Sequence, residues 1–143
     1  MKKNLITFMF LLFATIAVAQ VEFLPSQKDV TKHTEKVMSY FAKLDLPHTF
    51  SELKKHWPLP PEEIMELEAT TTEQFEIVLS RFGKAKGYEF IEEKVINNTL
   101  IKRVYIIKFE KHMLRVQFTY YNNGDGWVLN MFKWDDSISE LFD

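Results

Sequence analysis

The hydrophobic period of this chain changes once, and that change constrains the fold more than any motif does. Through Phe82 apolar residues recur at helical spacing; from Gly87 they alternate with polar ones. Val30, Val37, Met38, Phe41 and Leu44 mark a first helix, with Ser26 or Asp29 able to cap its start and Pro47 to stop it. Thr49-Phe50-Ser51-Glu52 reads as a capping box opening a short second helix, with Leu53 and Trp57 on the Phe50 face. Pro61, followed by Glu62 and Glu63, suits a helical first turn, where its missing N–H is no loss and the acids meet the positive end of the dipole. Ile64, Met65 and Leu67 are expected to face inward from that helix. Thr70-Thr71-Thr72 is expected to break it and to cap another that carries Phe75, Val78, Leu79 and Phe82 on one stripe, with Gly83 as the stop.

Strands are expected over 88–96, 100–110, 113–121 and 127–134. They are joined by Asn97-Asn98, by Lys111-His112 and by the loop after Tyr121, and the chain closes in a short helical turn over 135–142. Helices followed by a meander predict an α+β fold, with N-terminal helices packed on one face of a four-stranded antiparallel sheet. The loop within Tyr120-Tyr121-Asn122-Asn123-Gly124-Asp125-Gly126-Trp127 decides a register. Its glycines supply positive φ, and its Asn and Asp residues tolerate left-handed geometry. A calcium loop needs further acids and a late Glu, which do not follow. A five-residue loop pairs Tyr121 with Trp127 and a six-residue loop pairs Tyr120 with Trp127; the two put Trp127 on opposite faces of the sheet.

The fourth strand is apolar on both sides. Trp127, Leu129 and Met131 alternate with Val128, Phe132 and Trp134. A sheet with one wet face should not look like this. The strand is therefore expected to be central or curled, its second face closing on a cavity or a partner.

The chain opens with Lys2-Lys3, an apolar run from Leu5 to Val18 and an Ala17-x-Ala19 site, the layout of a secretory signal cleaved after Ala19. The run is shorter than the about 20 residues a membrane span needs. Export to the periplasm or the medium is expected, with no membrane attachment after cleavage. Residues 20–27 read as a loose lead-in and 28–143 as a single domain. There is no cysteine, so neither a disulfide nor a lipid-bearing N-terminal Cys is available, and the fold must rest on its core. Without Lys2 and Lys3 the 18 basic residues fall to 16 against 20 acidic ones, a net of −4 with no basic stripe. Nucleic acid and anionic membrane surfaces are excluded as partners on that ground. Asn97-Asn98-Thr99 has the form of a glycosylation sequon but reads as a turn.

The segments RFGKAKGYEFIEE and LRVQFTYYNNGDGWVLNMFKWDDSISELF, in this order after helices, resemble the nuclear-transport-factor-two-like, cystatin-related α+β superfamily, and its small exported bacterial members in particular. The resemblance spans roughly residues 28–142. It implies a cone: a bent sheet wrapped around helices and a pocket. Members include isomerases and cyclases as well as binding and assembly modules, so the fold leaves function open.

The residues themselves name no reaction. His48, Glu52 and His56 are spaced to share a helical face and hold a metal, but Pro47 and a Thr49 cap would place His48 outside the helix. No metal or cofactor is expected. Tyr40, Asp45, His48, Tyr105 and Tyr121 are available for acid–base work in a pocket, yet no motif fixes a catalytic set. Arg103, Arg115 and Gln117 lie on strands expected to be inner, where a polar side chain needs water, a pocket or a partner; a solvent-facing strand side explains them equally well. With Tyr105, Tyr121 and Trp127 they form the candidate ligand-binding set. The expected function is a non-enzymatic binding domain for a small apolar or aromatic ligand, a peptide or a second copy through the sheet face. An isomerase-type or cyclase-type pocket enzyme and a structural or inhibitory secreted module remain as alternatives.

Overall fold

The computed structural model describes residues 20–143, and the expected signal segment over 1–19 lies outside them. Three helices, α1 (Gln27–Phe41), α2 (Leu46–His56) and α3 (Pro61–Phe82), precede four strands, β1 (Ala85–Ile96), β2 (Leu100–Phe109), β3 (Met113–Asn122) and β4 (Trp127–Asp135), and a 3-10 turn at Ser139–Leu141. The strands form one open antiparallel sheet in the order β1-β2-β3-β4, so the α+β meander expected from the period change is the fold. No described helix is long and apolar enough to cross a membrane.

The helix ends follow local chemistry, with two departures from expectation. Ser26 caps α1 by accepting the Asp29 N–H at 3.2 Å. That helix ends at Phe41, before Pro47, in a turn where Leu44 takes a positive φ of 62°. Asp45, and not Thr49, then caps α2, accepting the His48 N–H at 3.3 Å. Pro47 sits in the first turn of α2, where its absent N–H costs nothing. His48 is therefore helical, and Thr49 is buried with its hydroxyl on the Asp45 carbonyl. The second departure is α3, which runs unbroken through Thr70-Thr71-Thr72. Thr72 bonds back to the Glu68 carbonyl at 2.8 Å, which satisfies its hydroxyl inside a helix. A 22-residue helix results, about 33 Å long. It buries one narrow seam of Ile64, Thr71, Phe75, Val78 and Phe82, which leaves Met65, Leu67 and Leu79, all expected to face inward, outside it and exposed. Gly83 stops it at φ 84°.

The helices cover one sheet face. Ile101, Tyr105, Ile107, Leu114, Val116, Phe118 and Tyr120 meet Val30, Val37, Met38 and Phe41 of α1 and Phe50 and Leu53 of α2 in one core. Phe132 ties the layers together. Its ring lies 5.5 Å from Phe41, 6.2 Å from Phe50, 6.3 Å from Trp57 and 5.3 Å from Phe118. Such pairs contribute about 0.5–1.5 kcal/mol each beyond the area they bury.

The fourth strand is an edge, not a central strand. Its two apolar sides come from a bulge. Tyr120 pairs with Leu129 and Thr119 with Met131, so Asn130 is an extra residue. Trp127 and Leu129 before the bulge and Phe132 and Trp134 after it consequently share the helix-covered face. Trp127 pairs with Asn122, so the loop holds four residues, neither of the two expected lengths; Trp127 joins the Leu114-Val116-Phe118 face. The lead-in is not loose. Leu24 exchanges two hydrogen bonds with Trp127, at 2.8 and 2.9 Å, and forms a bridge on the edge of β4. Gly126 makes room for this contact: a Cβ there would lie 3.0 Å from the Leu24 carbonyl oxygen.

Candidate functional site

The six candidate ligand-binding residues separate into three groups. Arg103 and Tyr105 point from β2 toward α1 and meet. The Tyr105 hydroxyl accepts from Arg103 Nε and Nη2 at 3.2 and 3.1 Å, lies 2.8 Å from the Thr34 hydroxyl and donates to Glu35 at 2.8 Å. Arg103 also pairs with Glu93 and stacks 4.5 Å above the Phe90 ring. Burial pushes the Tyr105 hydroxyl up to about 12. Burial opposes the charge on Arg103, but hydrogen bonds to Tyr105 and Glu93 outweigh it and raise its pKa. Trp127 also belongs to the covered face but lies in the core, 2% exposed.

Arg115, Gln117 and Tyr121 take the opposite, helix-free face by alternation along β3. Arg115 is nonetheless buried. Asp135 accepts its Nε and Nη2 at 3.0 and 2.7 Å, and Glu140 folds over it at 2.5 Å. Gln117 is half-buried between Val104 and Lys133, and Tyr121 is exposed.

A second buried polar pair was not legible in the sequence. His33 Nδ1 lies 2.6 Å from the Tyr120 hydroxyl, and its Nε2 lies 3.1 Å from the Glu52 carbonyl. Burial lowers the His33 pKa to about 4, helped by His56 and Lys55 nearby, with the Glu52 carbonyl and carboxylate opposing. The neutral ring thus donates from Nε2 and accepts the Tyr120 proton at Nδ1. The helix-covered face therefore holds carboxylate–tyrosine and histidine–tyrosine pairs, but Tyr105 and Tyr120 are fully buried, and among the described residues every buried polar side-chain atom has a partner. These groups hold one another; open space of about 300 Å³ reaches His33 from the Glu52–His56 side, and a cleft of about 620 Å³ reaches Tyr88, which bonds Glu35.

No described group of three His, Asp or Glu side chains is placed to hold a metal. His48, Glu52 and His56 share α2 but have other partners. Asp45 holds His48 at 2.8 Å, Lys36 and Lys55 hold Glu52 at 3.0 and 2.7 Å, and the Glu22 carbonyl meets His56 at 2.6 Å.

Open space floored by aromatic side chains lies between α3 and the edge of β4. Two grooves share Trp134. One, of about 300 Å³, is lined by Phe50, Trp57, Leu67, Thr71, Phe132 and Lys133 among others. The next, of about 220 Å³, is lined by Ile77, Val78, Phe82 and Leu114, with Arg81, Asp135 and Asp136 at its rim. The helix residues from Leu67 to Arg81 span about 21 Å. The narrow seam of α3 creates this cleft: Phe75 reaches Trp134 at 5.0 Å and props the helix there, and space remains on either side. The sequence contained Trp134 and Phe132 as aromatics of an expected strand. Their role was hidden because the bulge at Asn130 and the unbroken α3 set their placement.

No known family profile matches the chain, and no curated protein matches it. Among solved structures, it is similar to a protein assigned as a calcium/calmodulin-dependent protein kinase type II association domain from Thiobacillus denitrificans, at 10% identity and a TM-score of 0.43, over 79% of this chain and 96% of that one. It is also similar to an NTF-2 like protein of unknown function from Shewanella oneidensis, at 17% identity and a TM-score of 0.48, over 76% of this chain and 98% of that one. These are likenesses of fold alone.

Proposed function

We propose that the chain is an exported binding domain without catalytic chemistry, and that its site is the cleft between α3 and β4. The observation that carries this reading is the pair of grooves meeting at Trp134, a half-buried indole with open space on both sides. On the helix-covered face of the sheet, where an isomerase-type or cyclase-type site would lie, Tyr105 and Tyr120 are fully buried and bonded to other side chains. A cleft floored by Phe132, Trp134, Val78 and Phe82 and rimmed by a few charges suits a small apolar or aromatic group, held by burial and oriented at the rim.

Native mass spectrometry of the protein purified from its host compartment tests this. A retained small molecule or peptide that is lost from Trp134→Ala, while the variant stays folded, supports the reading. A ligand retained equally by the variant, or a turnover activity that survives Trp134→Ala and is lost in Tyr105→Phe, overturns it.

A further inference from the structure

The cleft has a backbone side as well as a side-chain side. Phe132, Lys133 and Trp134 are consecutive in β4, and all three line the larger groove. Side chains of consecutive strand residues point to opposite faces. A groove lined by three in a row therefore runs along the strand's edge.

That edge carries unpaired backbone groups. The Asn122 N–H bonds to Thr99, so even-numbered residues of β3 aim their backbone groups at β2, and Thr119, Gln117 and Arg115 aim theirs at β4. Lys133, opposite Gln117, is thus bonded inward. Phe132 and Trp134, opposite Phe118 and Val116, point their N–H and C=O groups away from the sheet. Earlier on the same edge, Trp127 also points outward, and there a strand segment is already seated: Leu24 takes both its N–H and its C=O in the antiparallel manner. Past the Asn130 bulge the edge continues without a partner strand among the described residues, and the grooves open alongside it.

We infer that the cleft takes an extended peptide that adds to β4 as a fifth strand beside α3, continuing the edge interface that Leu24 begins. Its backbone bonds to Phe132 and Trp134, and apolar side chains on one face enter the grooves flanking Trp134. Peptides recognised in this way gain affinity from main-chain hydrogen bonds and specificity from side-chain pockets. The inference rests on the cleft being the binding site and adds the chemical class of its ligand.

The test uses a capped hexapeptide, Val-Thr-Val-Ser-Val-Lys, and two analogues N-methylated at alternate residues, one at the odd positions and one at the even. Together the analogues remove the outward amide donors in either register. Indole as a small aromatic probe serves as the comparison. Backbone amide exchange at Phe132 and Trp134 is followed by NMR together with the Trp134 indole shift. The expected result is protection of both amides by at least tenfold at saturating hexapeptide, loss of that protection with at least one N-methylated analogue, and no protection by indole. Binding that shifts the Trp134 indole without protecting the amides, or protection undiminished by either methylated analogue, overturns strand addition while leaving the cleft as a site. A hexapeptide that produces no change while indole shifts Trp134 also overturns it. No Trp134 response to either probe removes the cleft itself, and strand addition with it.

Discussion

Replacing His33 with Gln should flatten the acid side of the stability profile. The imidazole is buried between the Tyr120 hydroxyl and the Glu52 carbonyl, with His56 at 4.6 Å centroid distance and Lys55 nearby. Its pKa is about 4 in the folded protein against 6.5 in an unfolded chain. The unfolded chain therefore binds the proton first as pH falls. The stability that neutral His33 contributes is complete above pH 6.5 and is lost progressively down to about pH 4. At roughly 1.4 kcal/mol per pKa unit, about 3 kcal/mol is at stake over the whole interval and about 2.5 kcal/mol by pH 4.5. Gln can accept from Tyr120 through Oε1 and donate to Glu52 through Nε2, so His33→Gln keeps both bonds and removes the titration. Urea unfolding of both proteins at pH 7.5 and pH 4.5 measures the effect. A carboxylate remote from His33 such as Asp135, held below its usual range by Arg115, loses stability on acidification in both proteins and cancels in the comparison. The wild type should lose about 2.5 kcal/mol more than the variant between the two pH values. Parallel losses, whatever the offset between the curves, would refute a buried neutral His33.

Leu53 is fully buried on the inner face of α2, so Leu53→Ala should cost about 2–5 kcal/mol in urea unfolding, and a cost below 1 kcal/mol would mean the core is loosely filled there. Gly83→Ala places a Cβ against the Glu110 carboxylate at φ 84° and ψ −157°, a region essentially confined to glycine, so a loss of about 1–3 kcal/mol is expected, and a neutral result would show that the helix end can relax. Arg115→Ala removes the anchor of Asp135 and Glu140, both partly exposed, so the stability loss should be only about 1 kcal/mol. The clearer readout is faster amide exchange at Ser139–Leu141, and unchanged exchange there would count against the anchoring role.

The fold class was legible because it rests on period, and period survives local errors. The switch near Gly83 to Gly87 places helices before strands however the individual ends are assigned. Boundaries set by competition between neighbouring caps were not legible. Asp45 and Thr49 both offer a cap for α2, and the buried packing of Thr49 decides between them. The threonine run looked like a break because β-branched hydroxyl residues favour caps, yet Thr72 bonds back within the helix and Thr71 packs. The site depended on features with weaker signals. One inserted residue, Asn130, reverses the alternation of β4, which explains how an edge strand can read as apolar on both sides. Arg115 and Gln117 lie on a strand expected to be inner, with a cavity-lining and a solvent-facing side both left open, and the odd-numbered face of β3 puts them on the helix-free side, where Arg115 is buried by Asp135 and Glu140. Arg103 and Tyr105 were named separately and meet through their alternation on β2, with Glu35 supplied from α1, a pairing no linear spacing reveals.

The three tryptophans provide an internal comparison for the cleft. Trp134 lines both grooves, Trp57 lines the larger one, and Trp127 is enclosed in the core. Their indole N–H signals can be followed separately by NMR while indole, or the ligand retained from the host, is titrated in. A saturable shift of Trp134, a smaller one at Trp57 and none at Trp127 is the outcome that binding at the α3–β4 cleft predicts. A saturable shift at Trp127 with Trp134 unmoved would place the ligand inside the sheet and contradict it.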